Sequence, residues 1–186
     1  MAGKSKDGGR RQSWVALLRG VNLGAHNKVP MAGLRDLMAE IGAEDVQTYV
    51  QSGNVVFRSA LRRAELVRRI KQEISARFGV DADVVLCTKG ELARIVAGNP
   101  FAEDESEPTR LHVTFLARAP ERARMTDLEG EEFDPDRFHV TRAAVYLHTP
   151  KGYGRSKLSN TYFERKLGVR ATTRNWRTVT TLAELA

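Results

Sequence analysis

Val46-Gln47-Thr48-Tyr49-Val50, then Gln51-Ser52-Gly53-Asn54, then Val55-Val56-Phe57-Arg58 form two β-rich runs separated by turn-forming residues, the pattern of a hairpin. The flanks turn that hairpin into a fold. Upstream, Met31, Leu34, Leu37, Met38 and Ile41 recur at helical spacing, with Pro30 expected at the first helical position and Gly42 past the end. Downstream, Leu66, Ile70, Ile74 and Phe78 repeat every fourth residue between Arg62 and Phe78, and Gly79 closes that helix. One step further out, Ser13 to Arg19 and Asp83 to Cys87 are apolar runs of strand length. The order is therefore β-α-β-β-α-β, a ferredoxin-like split β-α-β arrangement. Thr88 with Glu91 three residues later adds a capping box and a further helix.

An acidic loop, Glu103-Asp104-Glu105 with Glu107 and Pro108, marks a boundary. Beyond it, Leu111 to Leu116 reads as a strand, Pro120 to Leu128 as a helix, and Phe138 to Thr141 with Ala144 to Thr149 as a strand pair. Asn160 to Leu167 and Trp176 to Leu185 read as helices. The order of the first half returns in weaker form, without a residue-level repeat. The expected fold is α+β: two packed ferredoxin-like subdomains, residues 13–102 and 103–186, with a C-terminal helix and a disordered tail over residues 1–12.

The formal net charge of +7 is unevenly spread. Residues 1–12 carry +3 and residues 13–150 carry −2, while residues 151–177 hold eight basic side chains against Glu164 alone. A focused positive patch suits one anionic ligand better than a long polyanion. No run approaches the roughly 20 apolar residues of a spanning helix, and no secretory signal stands at the N-terminus, so a cytoplasmic location without membrane association is expected. The single cysteine, Cys87, lies in an apolar run and reads as a buried small hydrophobe.

Catalytic signatures are sparse. His26, His112, His139 and His148 lack ligand spacing, so no metal is assigned, and no cofactor motif or nucleophile elbow occurs. Three polar segments remain as candidates. Arg19-Gly20-Val21-Asn22-Leu23-Gly24, with Lys28 ahead of Pro30, joins a strand to a helix where unpaired backbone N–H groups, glycines and cations could receive an anion. The same residues also suit a tight connection that needs glycine for its backbone angles. Ser52 and Asn54 in the hairpin turn could orient a ligand, or serve only as turn residues. Lys157 and Arg174, with Asn175 as N-cap of the last helix, form a third anion-friendly group; the alternative is that Trp176, Val179 and Leu182 simply dock the helix.

With these residues in view, the chain resembles a widespread bacterial family catalogued as domain of unknown function 1697, over nearly its full length. The resemblance is carried by Leu17-Leu18-Arg19-Gly20-Val21-Asn22-Leu23-Gly24, by Met31 and Leu34, by Thr48-Tyr49-Val50-Gln51-Ser52-Gly53-Asn54-Val55-Val56-Phe57, and by Thr172-Thr173-Arg174-Asn175-Trp176-Arg177-Thr178-Val179. His26 is a minor departure from the pattern. The resemblance implies a two-part α+β fold and supplies no activity or catalytic residues.

The leading functional expectation is a protein that binds a small phosphate- or carboxylate-bearing ligand among the three segments, with Arg19, Lys157 and Arg174 as charge partners and Asn22 or Asn54 as orienting groups. Whether it is an enzyme stays open; any chemistry would rest on positioning and electrostatic stabilisation. The alternatives are an RNA-binding module and a non-catalytic interaction protein. Against RNA, the strand Asn54-Val55-Val56-Phe57-Arg58 lacks the aromatic pattern of an RNA-recognition sheet.

Overall fold

The structure, a computed structural model, describes residues 11–22, 24, 26–103 and 107–186. Most of the expected N-terminal tail and three residues of the loop after Glu103 lie outside them. The first strand, β1 (Gln12–Arg19), pairs Gln12 with Ser59, so ordered structure begins inside the segment expected to be tail.

The first half runs β1, α1 (Met31–Glu40), β2 (Glu44–Tyr49), β3 (Asn54–Ser59), α2 (Arg63–Phe78), β4 (Asp83–Thr88) and α3 (Lys89–Ala97). Its sheet is antiparallel with order β2-β3-β1-β4. Pro30 is the last extended residue before α1, with ψ 132°, and not the first helical one. The capping box on α3 forms as the Thr88 to Glu91 spacing implied, with side chain and backbone exchanging hydrogen bonds in both directions. Val50 leaves the strand and joins the turn.

The second half runs β5 (Leu111–Leu116), α4 (Arg122–Glu129), β6 (Arg137–Val140), β7 (Ala144–His148), α5 (Asn160–Leu167), β8 (Ala171–Asn175) and α6 (Trp176–Leu185). Its antiparallel sheet has order β6-β7-β5-β8, the same path through space as the first. Strand β8 is the element that the sequence reading missed. Its sequence, Ala-Thr-Thr-Arg-Asn, has no apolar alternation, and its β-branched threonines are the one strand-like cue. With β8 in place, both halves share the β-α-β-β-α-β order.

Strand alternation sends side chains to both faces, and both faces of each sheet are covered. Trp14, Ala16, Leu18, Val55 and Phe57 pack under Leu34, Leu37, Leu66 and Ile70 of α1 and α2. The opposite face, with Val15, Leu17, Val56, Val85 and Cys87, meets Leu92 and Ile95 of α3, Val179 and Leu182 of α6, and Val113, Phe115 and Tyr146 of the second sheet. The outer face of the second sheet buries Val145 and Leu147 against Leu128 of α4 and Phe163 and Leu167 of α5. Helices α3 and α6 thus lie between the two sheets and share one core with both. No helix among the described residues is long and apolar enough to cross a membrane.

Candidate functional site

The three polar segments meet where the two halves join. Arg174, on β8, reaches across to the first half. Its Nε–H donates to Asn54 Oδ1 at 2.6 Å, Nη2 donates to the carbonyls of Leu18 at 2.6 Å and Ser52 at 3.1 Å, and Nη1 donates to Thr172 Oγ1 and the Thr173 carbonyl, both at 2.9 Å. A guanidinium has five N–H donors, and each here has a protein acceptor. None of the five acceptors is a carboxylate, and burial lowers the Arg174 pKa to about 10, which still leaves it charged at neutral pH.

The acceptors are themselves fixed. Asn54 is fully buried, and its Nδ2 donates to the Tyr49 carbonyl at 3.0 Å and to Ser52 Oγ at 2.8 Å. Gly53, at φ +75°, brings its carbonyl to 2.8 Å from the Leu18 N–H. A Cβ there would lie 2.7 Å from Leu18 Cβ and Val21 Cγ2, so only glycine lets the turn press on the end of β1.

The loop after β1 is built the same way. Asn22, at φ +53°, donates through Nδ2 to the carbonyls of Val29 at 3.0 Å and Gln51 at 2.8 Å, and its Oδ1 accepts from the Val29 N–H at 2.9 Å. Gly20, at φ +81°, offers its carbonyl to Asn27 Nδ2 at 2.8 Å. Arg19 pairs with Glu164 of α5 and donates to the Ala171 carbonyl at 3.2 Å. Asn175 caps α6, accepting from the Thr178 N–H at 2.8 Å.

Arg19, Asn22, Ser52, Asn54 and Arg174 are therefore brought into one hydrogen-bonded junction, whose polar groups are largely committed to one another. The expectation that Arg19 and Arg174 present charge to a ligand meets this physical obstacle: Arg19 already has a carboxylate, and Arg174 has no donor to spare. Gly24 and Lys28 are exposed on the loop. Lys157 stands apart, exposed and lining a depression with Lys151 and Arg155 opposite Glu132, Asp134 and Asp136.

A different feature of the join is concave. A cleft of about 350 Å³ opens between β4 and the segment after β5, with Val85, Cys87, Ile95 and Phe115 as its floor and Arg63, Arg118 and Arg142 around it. Arg63 is spoken for: it pairs with Glu91 at 2.5 Å, donates to the Leu86 carbonyl and lies over the Trp14 ring. Arg118 makes one hydrogen bond, to the Gly168 carbonyl at 2.9 Å, and Arg142 has no hydrogen-bond or ion-pair partner among the described residues. Neither Arg118 nor Arg142 was singled out in the sequence. They sit in bends 24 positions apart, and the pairing of β5 with β7 makes them neighbours.

Cys87 on the cleft floor is buried, and desolvation, with a smaller push from Glu91 against Arg63, raises its pKa to about 12. At neutral pH it is a thiol and not a nucleophilic thiolate. Among the described residues no group of His, Cys, Asp and Glu side chains is arranged to hold a metal ion.

Two packed β-α-β subdomains with a hydrogen-bonded junction define the class of protein. The chain belongs to the family of proteins of unknown function DUF1697, whose model matches residues 11–146. The C-terminal segment with Arg174 falls outside that match. Among solved structures, the chain is similar to the conserved bacterial protein SP0830 from Streptococcus pneumoniae, with a TM-score of 0.76 at 21% identity, covering 94% of this chain and 98% of that one. At that identity the likeness is one of fold. No curated protein matches the sequence.

Proposed function

We propose that this is a cytoplasmic protein of two ferredoxin-like units that binds a small ligand bearing a carboxylate or phosphate, in the cleft between β4 and the end of β5. The observation that carries the reading is the pairing of an apolar floor with two guanidiniums, Arg118 and Arg142, that have no carboxylate partner among the described residues. Ligand sites at the join of two units commonly combine an apolar wall with a few polar groups, and planar guanidiniums match carboxylate and phosphate oxygens in pairs. This keeps the anionic ligand expected from the sequence and moves its charge partners from Arg19 and Arg174 to free cations.

The coverage of both sheet faces favours this over a base-stacking RNA module, since an RNA-recognition sheet keeps one face open for bases. Among the described residues the exposed large hydrophobic ones are Val50 and Leu185, neither of them aromatic.

The test is a thermal-shift titration of phosphorylated and carboxylated metabolites and of single-stranded RNA at two salt concentrations. A specific ligand at about 100 times its Kd adds roughly 2.7 kcal/mol of stability. Arg142→Ala and Arg118→Ala, both at exposed positions, should abolish that gain while leaving the unliganded melting temperature unchanged. RNA binding with a steep salt slope, or metabolite binding indifferent to both substitutions, refutes the reading.

A further inference from the structure

A second cavity differs in its chemistry. A depression of about 580 Å³ lies between the loop after α3 and the segment running from the end of α4 through β6. Its apolar walls are Phe101, Phe133 and Phe138. Phe133 stands edge-on to Phe138 at 6.0 Å and to Tyr162 at 5.3 Å, and Phe138 edge-on to Phe163 at 6.0 Å, so these walls are anchored in the core of the second sheet.

Around the walls, Glu129, Glu132, Asp134 and Asp136 have no ion-pair or hydrogen-bond partner for their carboxylates among the described residues. Lys151, Arg155 and Lys157 line the adjoining depression on the same 132–136 strap without forming an ion pair with it. The one cation in the cavity wall is Arg137, and its guanidinium lies over the Phe101 ring, 5.1 Å from the centroid. The chain's own side chain thus shows that the aromatic wall receives a cation on its face.

We propose that this depression binds a small organic cation with a flat apolar body, an aromatic amine in chemical class, its ammonium among Glu132, Asp134 and Asp136 and its body against Phe133 and Phe138. The charge is dictated by complementarity: four unpaired carboxylates set a negative potential over an aromatic wall, where an anion is repelled and a neutral ring gains only the apolar contact. The volume lies within the range of small-molecule sites. The site is separate from the β4 cleft and opposite to it in charge.

The test uses three probes of one shape: tryptamine, neutral tryptophol and indole-3-acetate, titrated into the full chain and followed by backbone amide shifts. Tryptamine should move amides within residues 129–140, with tryptophol at least fivefold weaker and indole-3-acetate weaker still. The double substitution Glu132→Gln, Asp134→Asn, at exposed positions, should weaken tryptamine at least fivefold and leave tryptophol unchanged, whereas Arg142→Ala in the other cleft should change neither. Equal binding of tryptamine and tryptophol, shifts confined to other residues, or an unaltered tryptamine affinity in the double variant overturns the proposal.

Discussion

The Nε–H of Arg174 donates to Asn54 Oδ1 at 2.6 Å, joining two residues 120 positions apart in the chain. The bond ties the edge strand of the second sheet to the hairpin turn of the first. Replacing Arg174 leaves the fully buried Asn54 Oδ1 without this donor, together with the part-buried Leu18 carbonyl, and a buried acceptor left unpaired costs about 1–3 kcal/mol. Arg174→Ala should therefore lower unfolding free energy by about 2–4 kcal/mol in denaturant melts. Arg174→Lys, with three donors and no planar fork, should recover less than half of that loss.

The turn that receives Arg174 carries two opposed backbone effects. Val50 is β-branched, exposed and held at φ +50°, where such residues are strained. Val50→Gly should raise stability by about 1 kcal/mol. Gly53→Ala should lower it by about 2 kcal/mol or more, because the added Cβ meets β1 as well as an unfavourable φ. Gly24→Ala, at φ +58° with open space around it, is the control for backbone cost alone. Paired melting curves of the three variants separate the two effects.

His112 should make the fold sensitive to mild acid. It is buried beneath Tyr153, stacked at 4.7 Å, and desolvation lowers its pKa to about 4, against a smaller opposing effect of a backbone hydrogen bond with Arg110. The unfolded chain takes up this proton near pH 6.5 and the folded one only near pH 4. Stability from this group is complete above pH 6.5 and lost as pH falls towards 4, with a full span of about 3 kcal/mol. Melts of the parent and His112→Gln at pH 7.5 and 4.5 should show the parent losing about 2–3 kcal/mol more than the variant.

Cys87 should resist alkylation. With the folded-state pKa raised to about 12, the native thiol should stay essentially unlabelled by iodoacetamide at pH 8 and react fully once the chain is unfolded. The same shift makes stability fall as pH rises above about 9, where the unfolded thiol ionises first. A Cys87→Ala variant should lack that alkaline component of the melting profile.

How much of this was legible depended on whether a local pattern carried the information. Leu66, Ile70 and Ile74 announce α2, and Thr88 with Glu91 announces the start of α3, because periodicity and capping are local. β8 was not legible: Thr172 and Thr173 show no alternation, and the strand exists because β5 offers it an edge. The site divides the same way. Arg19, Asn22, Ser52, Asn54 and Arg174 could be picked out as unusual polar residues and do assemble, but polarity alone does not say whether a side chain faces a ligand or another part of the chain. Glu164, which occupies Arg19, and the pair Arg118 and Arg142 carried no local signal at all. The segments that carry the family resemblance at Arg19, Asn54 and Arg174 meet at the junction, so the resemblance reads the architecture of the join.

Helix α6 fills the space between the two sheets, and β8 with Arg174 immediately precedes it. During synthesis, residues 13–102 can collapse around α1 and α2 as they leave the ribosome, but α3 covers only part of their second face, and that cover is not complete until residues 171–186 emerge. Until then the nascent protein would leave part of the surface around Val15, Leu17, Val56 and Val85 open, an apolar surface of the kind that chaperones recognise. Slowing translation ahead of codon 171 should therefore lengthen chaperone occupancy more than a pause placed near codon 60.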